Sequence, residues 1–134
     1  MKKLACLAAL AAVGALAGDS VTFETLVKAQ DDPASWLSYG KNYSGWRYSP
    51  LAQIDASNIA HLAHAWILAT GARGGNETTP IVLDDMMYLT GPSNAAWAVD
   101  LLTGRKVWSY SKDAPLGLGL CCGQVNRGFA ILGD

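Results

Sequence analysis

Charge is scarce in this 134-residue sequence. Only 16% of its residues are Asp, Glu, Lys or Arg, and ten basic against eleven acidic residues leave a net charge of −1. Nucleic acid is not indicated as a partner, because that contact needs a basic patch or stripe. Histidine is nearly absent too. His61 and His64 are the only two, with no carboxylate partner evident beside them, and they read as surface residues rather than metal ligands. No apolar run reaches the roughly 20 residues that cross a bilayer as a helix. Cysteine occurs three times, at Cys6, Cys121 and Cys122. What remains is the composition of an ordinary globular chain, 51% hydrophobic, and of one domain at most.

The N-terminus accounts for part of that apolar content. Lys2 and Lys3 give a short positive start, and Leu4 to Leu16 is apolar and Ala-rich. Ala15-Leu16-Ala17 offers small residues at the spacing of a signal-peptidase site. Residues 1–17 therefore read as a secretory signal peptide, with 18–134 as the exported part and the periplasm as its compartment. Cys6 would leave with the leader. Cys121 and Cys122 then remain in an oxidising compartment, free or bonded to each other.

Local patterning divides the rest. Asp19 to Gln30 is a helix candidate capped by Asp19 or Ser20, with Phe23, Leu26 and Val27 on one face. Asp31-Asp32-Pro33 ends it. An irregular stretch follows, in which burial of Trp36, Tyr39, Trp46 and Tyr48 is expected to supply order. A short helical turn fits Ala56 to Leu62. Strands are expected at Ala65 to Thr70, Thr79 to Leu83, Met86 to Thr90, Ala95 to Asp100 and Arg105 to Tyr110. A Pro- and Gly-bearing loop spans Asp113 to Gly119, and a further strand Val125 to Leu132. Asp84-Asp85 is placed as a tight hairpin turn. Short strands at this spacing indicate antiparallel all-β structure: sandwich, barrel or propeller. One four-stranded sheet buries little by itself. The chain is therefore expected to be the N-terminal portion of a longer protein.

The segment Ala98 to Trp108, AVDLLTGRKVW, fits the repeat AxDxxTGxxxW. It resembles the tryptophan-docking motif of eight-bladed quinoprotein propellers. Asp100, Thr103 and Gly104 suit a turn, and Trp108 would lie on the outermost strand of a blade. Trp66 is expected on an equivalent outer strand. Further segments are similar to the methanol and ethanol dehydrogenases that use pyrroloquinoline quinone (PQQ). These are WLSYGKNYSGWRYSPLAQIDASNIAHLAHAW, GNETTPIVLDDMMYLTG and CCGQVNRGFAILGD. The resemblance implies the first blade and flanking strands of such a propeller, preceded by a short helix.

It also implies a cofactor site. In the family two adjacent cysteines form a ring over one face of the quinone, which assigns that role to Cys121 and Cys122. Neighbouring α-carbons lie about 3.8 Å apart, below the usual disulfide span, so such a ring is strained. Strain of that kind persists where surrounding structure enforces it. Glu77 matches the glutamate of GxExTP and would hydrogen-bond the cofactor's polar rim. Arg127 matches the arginine of VNRG, and its guanidinium fork suits one of the three PQQ carboxylates. Val125 matches a position lining the same pocket. Gly123-Gln124 departs from the Asp and small residue that many members carry there. Asp84-Asp85 replaces the more usual Asp-Gly.

The family's calcium or lanthanide ion and its aspartate base match nothing in this chain, so no catalytic residue is assigned. The implied function is the N-terminal part of a PQQ-dependent dehydrogenase. It would oxidise an alcohol or a sugar and pass electrons to cytochrome c or a quinone. Two other readings stay open on the residues alone. One is a non-catalytic propeller scaffold of the cell envelope. The other is an exported β-module that binds a partner or carbohydrate through its aromatics.

Overall fold

The computed structural model describes residues 20–113, 115, 117 and 119–133. The signal-peptide reading at 1–17 and the cap expected at Asp19 lie outside these residues, as does part of the loop at 113–119.

The core is one antiparallel sheet of four strands in chain order: β1 (Ile81–Leu83), β2 (Met86–Thr90), β3 (Ala96–Asp100) and β4 (Lys106–Tyr110). β-Branched, aromatic and Met residues alternating over short runs favour this pleated state. The β1–β2 turn falls at Asp84-Asp85, and Asp84 takes a positive φ of 53°. Asp tolerates that conformation better than a branched residue would. The register pairs Tyr88 with Ala98 and Ala98 with Trp108, and it slips between Ala98 and Val99. β3 is the buried centre: Trp97, Ala98 and Val99 are all buried.

The two faces of the sheet are covered differently. On one, Leu89, Trp97 and Val99 pack with Met87, Trp66, Leu68 and Ala72. On the other, the rings of Tyr88, Trp108 and Phe129 meet at centroid distances of 6.5 Å. Phe129 meets the other two edge-to-face, which suits the positive rim and negative face of aromatic rings.

Residues 65–70 correct the sequence reading: they form no strand. Trp66 and Leu68 lie on the face of the sheet instead of extending its edge. An apolar face without cover gains more from two large side chains than an edge gains from one more ladder. Residues 125–132 form no strand either. They make one parallel bridge, Thr79 with Gly128, and Gly133 then pairs with Val21.

The N-terminal helix, α1 (Phe23–Val27), is only five residues long. Its cap is Thr22, not Ser20. Thr22 accepts from the Thr25 amide at 3.2 Å, and Thr25 accepts from the Thr22 amide at 2.8 Å. Reciprocal bonding of this type satisfies two otherwise orphaned donors. Val21, Ala29 and Leu37 form a second small core beside it. A single 3-10 turn, Ile59–His61, occupies the helical turn expected at 56–62.

The irregular stretch is not ordered by aromatic burial. Tyr39, Trp46 and Tyr48 are exposed, and Trp36 alone is partly covered. Order comes instead from polar ties. Lys41 is buried, and its Nζ donates to the carbonyls of Asp32 and Ser35. Trp36 and Val82 exchange amide–carbonyl bonds at 2.7 and 3.0 Å. Backbone groups inside a loop must find partners, and here they find them without a covering ring.

Candidate functional site

The loop ahead of β1 carries Glu77. The segment after β4 returns past it and carries Cys121, Cys122, Val125 and Arg127. The parallel bridge holds the two together: the Thr79 amide donates to the Arg127 carbonyl at 3.0 Å. Gly128 makes this approach possible. It has a φ of +145°, and a β-carbon there would sit 3.0 Å from the Thr79 carbonyl oxygen. Only glycine takes that backbone angle without strain.

At the bridge, an Arg127 Nη lies 3.1 Å from a Glu77 Oε, an ion pair. Both side chains remain accessible, 63% for Arg127 and 46% for Glu77. The guanidinium therefore keeps donors free to face a second anion. Cys121 and Cys122 occupy an exposed turn, followed by Gly123 at a φ of +82°. They are free thiols with their Sγ atoms 2.9 Å apart. Contact with Cys121 is the main cause raising the Cys122 thiol pKa, and desolvation and the Glu77 charge act in the same direction. The Arg127 charge opposes them. The field of the ion pair thus reaches the Cys122 thiol. Among the residues read from sequence, Glu77 and Arg127 meet directly, and their charges act in opposite directions on the Cys122 thiol. Cys121 meets Cys122 through the thiol contact. Val125 is half-buried two residues ahead of Arg127.

Several residues important to this arrangement carried no assignment in the sequence. Thr78 and Asn126 lie inside the two quoted motifs, yet no role was given to them. Thr90 is the penultimate residue of the quoted segment GNETTPIVLDDMMYLTG, again with no role attached to it. Its hydroxyl lies 2.9 Å from Asn126 Oδ1 and 3.1 Å from Thr78 Oγ1. A hydroxyl that joins segments 36 residues apart leaves no local signal.

The repeat at Ala98 to Trp108 is also resolved into contacts. An Asp100 carboxylate oxygen accepts from the Thr103 amide and hydroxyl, both at 2.8 Å. Gly104 closes the turn onto the Asp100 carbonyl at 2.9 Å with a φ of +69°. Trp66 then docks on this turn, and its Nε1 donates to the Leu101 carbonyl at 2.8 Å. Trp108 lies on the edge strand β4, at 41% exposure.

Residues 36–133 match the family model described as glucose/ethanol/alcohol dehydrogenase, beta-propeller domain. The chain is 43% identical over 115 residues to the dehydrogenase subunit of a quinone alcohol dehydrogenase from Gluconacetobacter polyoxogenes, covering 84% of this chain and 16% of that protein. Among solved structures it is similar to the quinohemoprotein alcohol dehydrogenase ADHIIG of Pseudomonas putida HK5. The TM-score is 0.76 at 37% identity, over 86% of this chain and 17% of that one. A europium-containing methanol dehydrogenase superposes with a TM-score of 0.72 at 35% identity, over 80% of this chain and 19% of that one. The chain thus spans about a sixth of the length of these relatives.

Proposed function

The chain belongs to the β-propeller family of PQQ-dependent alcohol dehydrogenases, and from that premise we propose that it forms one wall of a PQQ pocket. The observation that carries this reading is the Glu77–Arg127 pair beside Cys121 and Cys122. These residues come from two separate segments, and their donor chemistry fits the cofactor. An accessible guanidinium suits a PQQ carboxylate, and a carboxylate at 46% exposure can accept from the cofactor's polar rim. A non-catalytic scaffold has no need of this pair next to two thiols.

In this reading Arg127 binds a cofactor carboxylate and orients the ring system. Glu77 pairs with Arg127 and bonds the rim. Cys121 and Cys122 cover one ring face, joined as a disulfide in the periplasm after the leader at 1–17 is removed. Val125 lines the pocket beside them. When bound, PQQ supplies the hydride acceptor for alcohol or sugar oxidation. The calcium or lanthanide ion and the base belong to the remainder of the propeller, which has eight blades in this reading. Electrons leave to cytochrome c or a quinone. The names of the relatives support an alcohol as the substrate class.

The test is a PQQ titration of the chain followed by tryptophan fluorescence. Saturable quenching is expected, and Arg127→Gln should weaken it at least tenfold, about 1.4 kcal/mol. Equal affinity in the wild type and Arg127→Gln would sink the reading. The chain with PQQ, calcium and ethanol should reduce no dye, since the base is absent from it. Turnover would overturn the one-wall assignment.

A further inference from the structure

We propose that Thr90 is the positioning residue of the Glu77–Arg127 pair. This rests on the cofactor reading above for its functional meaning, but the geometry stands by itself. An ion pair as exposed as this one does not hold its own arrangement. Solvent competes for both partners, and two long side chains resist being fixed. The order must come from better-buried groups, and Thr90 ties the chain neighbours of both partners. It closes β2 and is 4% exposed.

Counting protons fixes the direction of the bonds around it. Thr90 Oγ1 lies 2.9 Å from Asn126 Oδ1, which can only accept. The single hydroxyl proton of Thr90 therefore goes to Asn126. Thr78 Oγ1, 3.1 Å away, must then donate to Thr90. Thr78 Oγ1 in turn accepts from the Thr90 amide at 3.2 Å. Asn126 Oδ1 takes a second donor, the Gly128 amide, at 3.0 Å. The result is a one-way relay from Thr78 through Thr90 to Asn126. Its two ends are the chain neighbours of Glu77 and Arg127. The Thr79–Arg127 bridge runs alongside. The relay is part-buried, so solvent replaces its bonds less readily than those of the exposed pair.

Thr90→Val keeps the shape and removes the relay. The Thr78 hydroxyl loses its acceptor, and Asn126 Oδ1 keeps only the Gly128 amide. The two segments are then joined only by the Thr79–Arg127 backbone bridge, which fixes neither side chain, and Arg127 leaves Glu77. Thr90→Ser keeps the relay.

The experiment follows the Arg127 Nε–H resonance in the full 15N-labelled chain, assigned by its loss in Arg127→Lys. Glu77→Gln marks its position when the pair is broken. Thr90→Val is expected to move the resonance to that position, and Thr90→Ser to leave it in place. The Trp66 indole resonance, bonded to Leu101, should stay put and report an intact sheet. If Thr90→Val does not fold, Asn126→Ala opens the same relay from its half-buried end, with the same expected shift. In the PQQ titration, Thr90→Val should weaken binding about tenfold, while Thr90→Ser stays within about twofold. A folded Thr90→Val or Asn126→Ala with Arg127 at its wild-type position would overturn the proposal. If the resonance moves as expected but PQQ affinity is the same in wild type, Glu77→Gln and Thr90→Val, the positioning role stands and the cofactor reading fails.

Discussion

The indole of Trp66 lies against Gly104: a β-carbon on Gly104 would come within 2.5 Å of the ring. The same indole bonds the Leu101 carbonyl at 2.8 Å. A turn at the far end of β3 and a segment ahead of the sheet therefore depend on one missing side chain. Gly104 also holds a φ of +69°. Gly104→Ala adds a steric clash to backbone strain and should cost about 2–4 kcal/mol in urea unfolding of the chain. Trp66→Phe keeps most of the packing and loses the bond, for about 1 kcal/mol. Equal stability of Gly104→Ala and wild type would show that the turn moves freely.

Asp100 gives a pH dependence. Bonds from the Thr103 amide and hydroxyl, chiefly the amide, hold its carboxyl below the ordinary carboxylate range. A depressed folded pKa contributes stability that is present above the unfolded value and lost as pH falls through the folded one. Asp100→Asn should thus lower the unfolding midpoint at pH 7. The difference from wild type should shrink progressively below pH about 4, where the unfolded carboxylate protonates. Thermal unfolding across that window measures it. A difference that stays constant down to the lowest pH would argue for a steric effect instead.

Cys122 gives a second titration, read as reactivity. Its thiol is raised mainly by contact with Cys121, also by desolvation and Glu77, and is lowered by Arg127. In the reduced chain, Cys121→Ala should shift the pH midpoint of iodoacetamide alkylation at Cys122 downward. Arg127→Gln should shift it upward, because the thiolate loses its nearby cation. Peptide mass mapping across a pH series distinguishes the two. Shifts of the same sign in both variants would separate the ion pair from the thiols.

Trp97 tests the sheet core. It is 4% exposed on the central strand, packed among Leu89, Val99, Trp66 and Leu68. Trp97→Ala should cost about 3–5 kcal/mol, and near-UV circular dichroism should show the loss of fixed packing. Tyr110→Ala, at 53% exposure on β4, should cost under about 1 kcal/mol. A similar loss in both would mean that the burial difference carries no weight.

Much of this was legible before any coordinates. The period-two runs placed β1 to β4 to within about two residues. The turn chemistry of Asp100, Thr103 and Gly104 was readable because all three act within a few positions of each other. The reading failed where partners are distant. Residues 65–70 have strand composition but lie across a sheet face, and composition cannot tell a face from an edge. Tyr39, Trp46 and Tyr48 are apolar enough to expect burial, yet nothing in their own segment says what surface, if any, meets them.

The sequence by itself determined the four strands of the sheet, the family resemblance and the residue types at Glu77, Cys121, Cys122 and Arg127. Each of those rests on local chemistry: side-chain period, turn preference, or a motif of a few residues. Only the tertiary structure decided that Glu77 and Arg127 meet at 3.1 Å, and that Thr90 joins the loops carrying them. The reason is physical. Residues 50 apart in the chain come together only when the sheet forms and its bridges close. The hydroxyl that aligns them is fixed by burial, a property no residue has until its neighbours surround it.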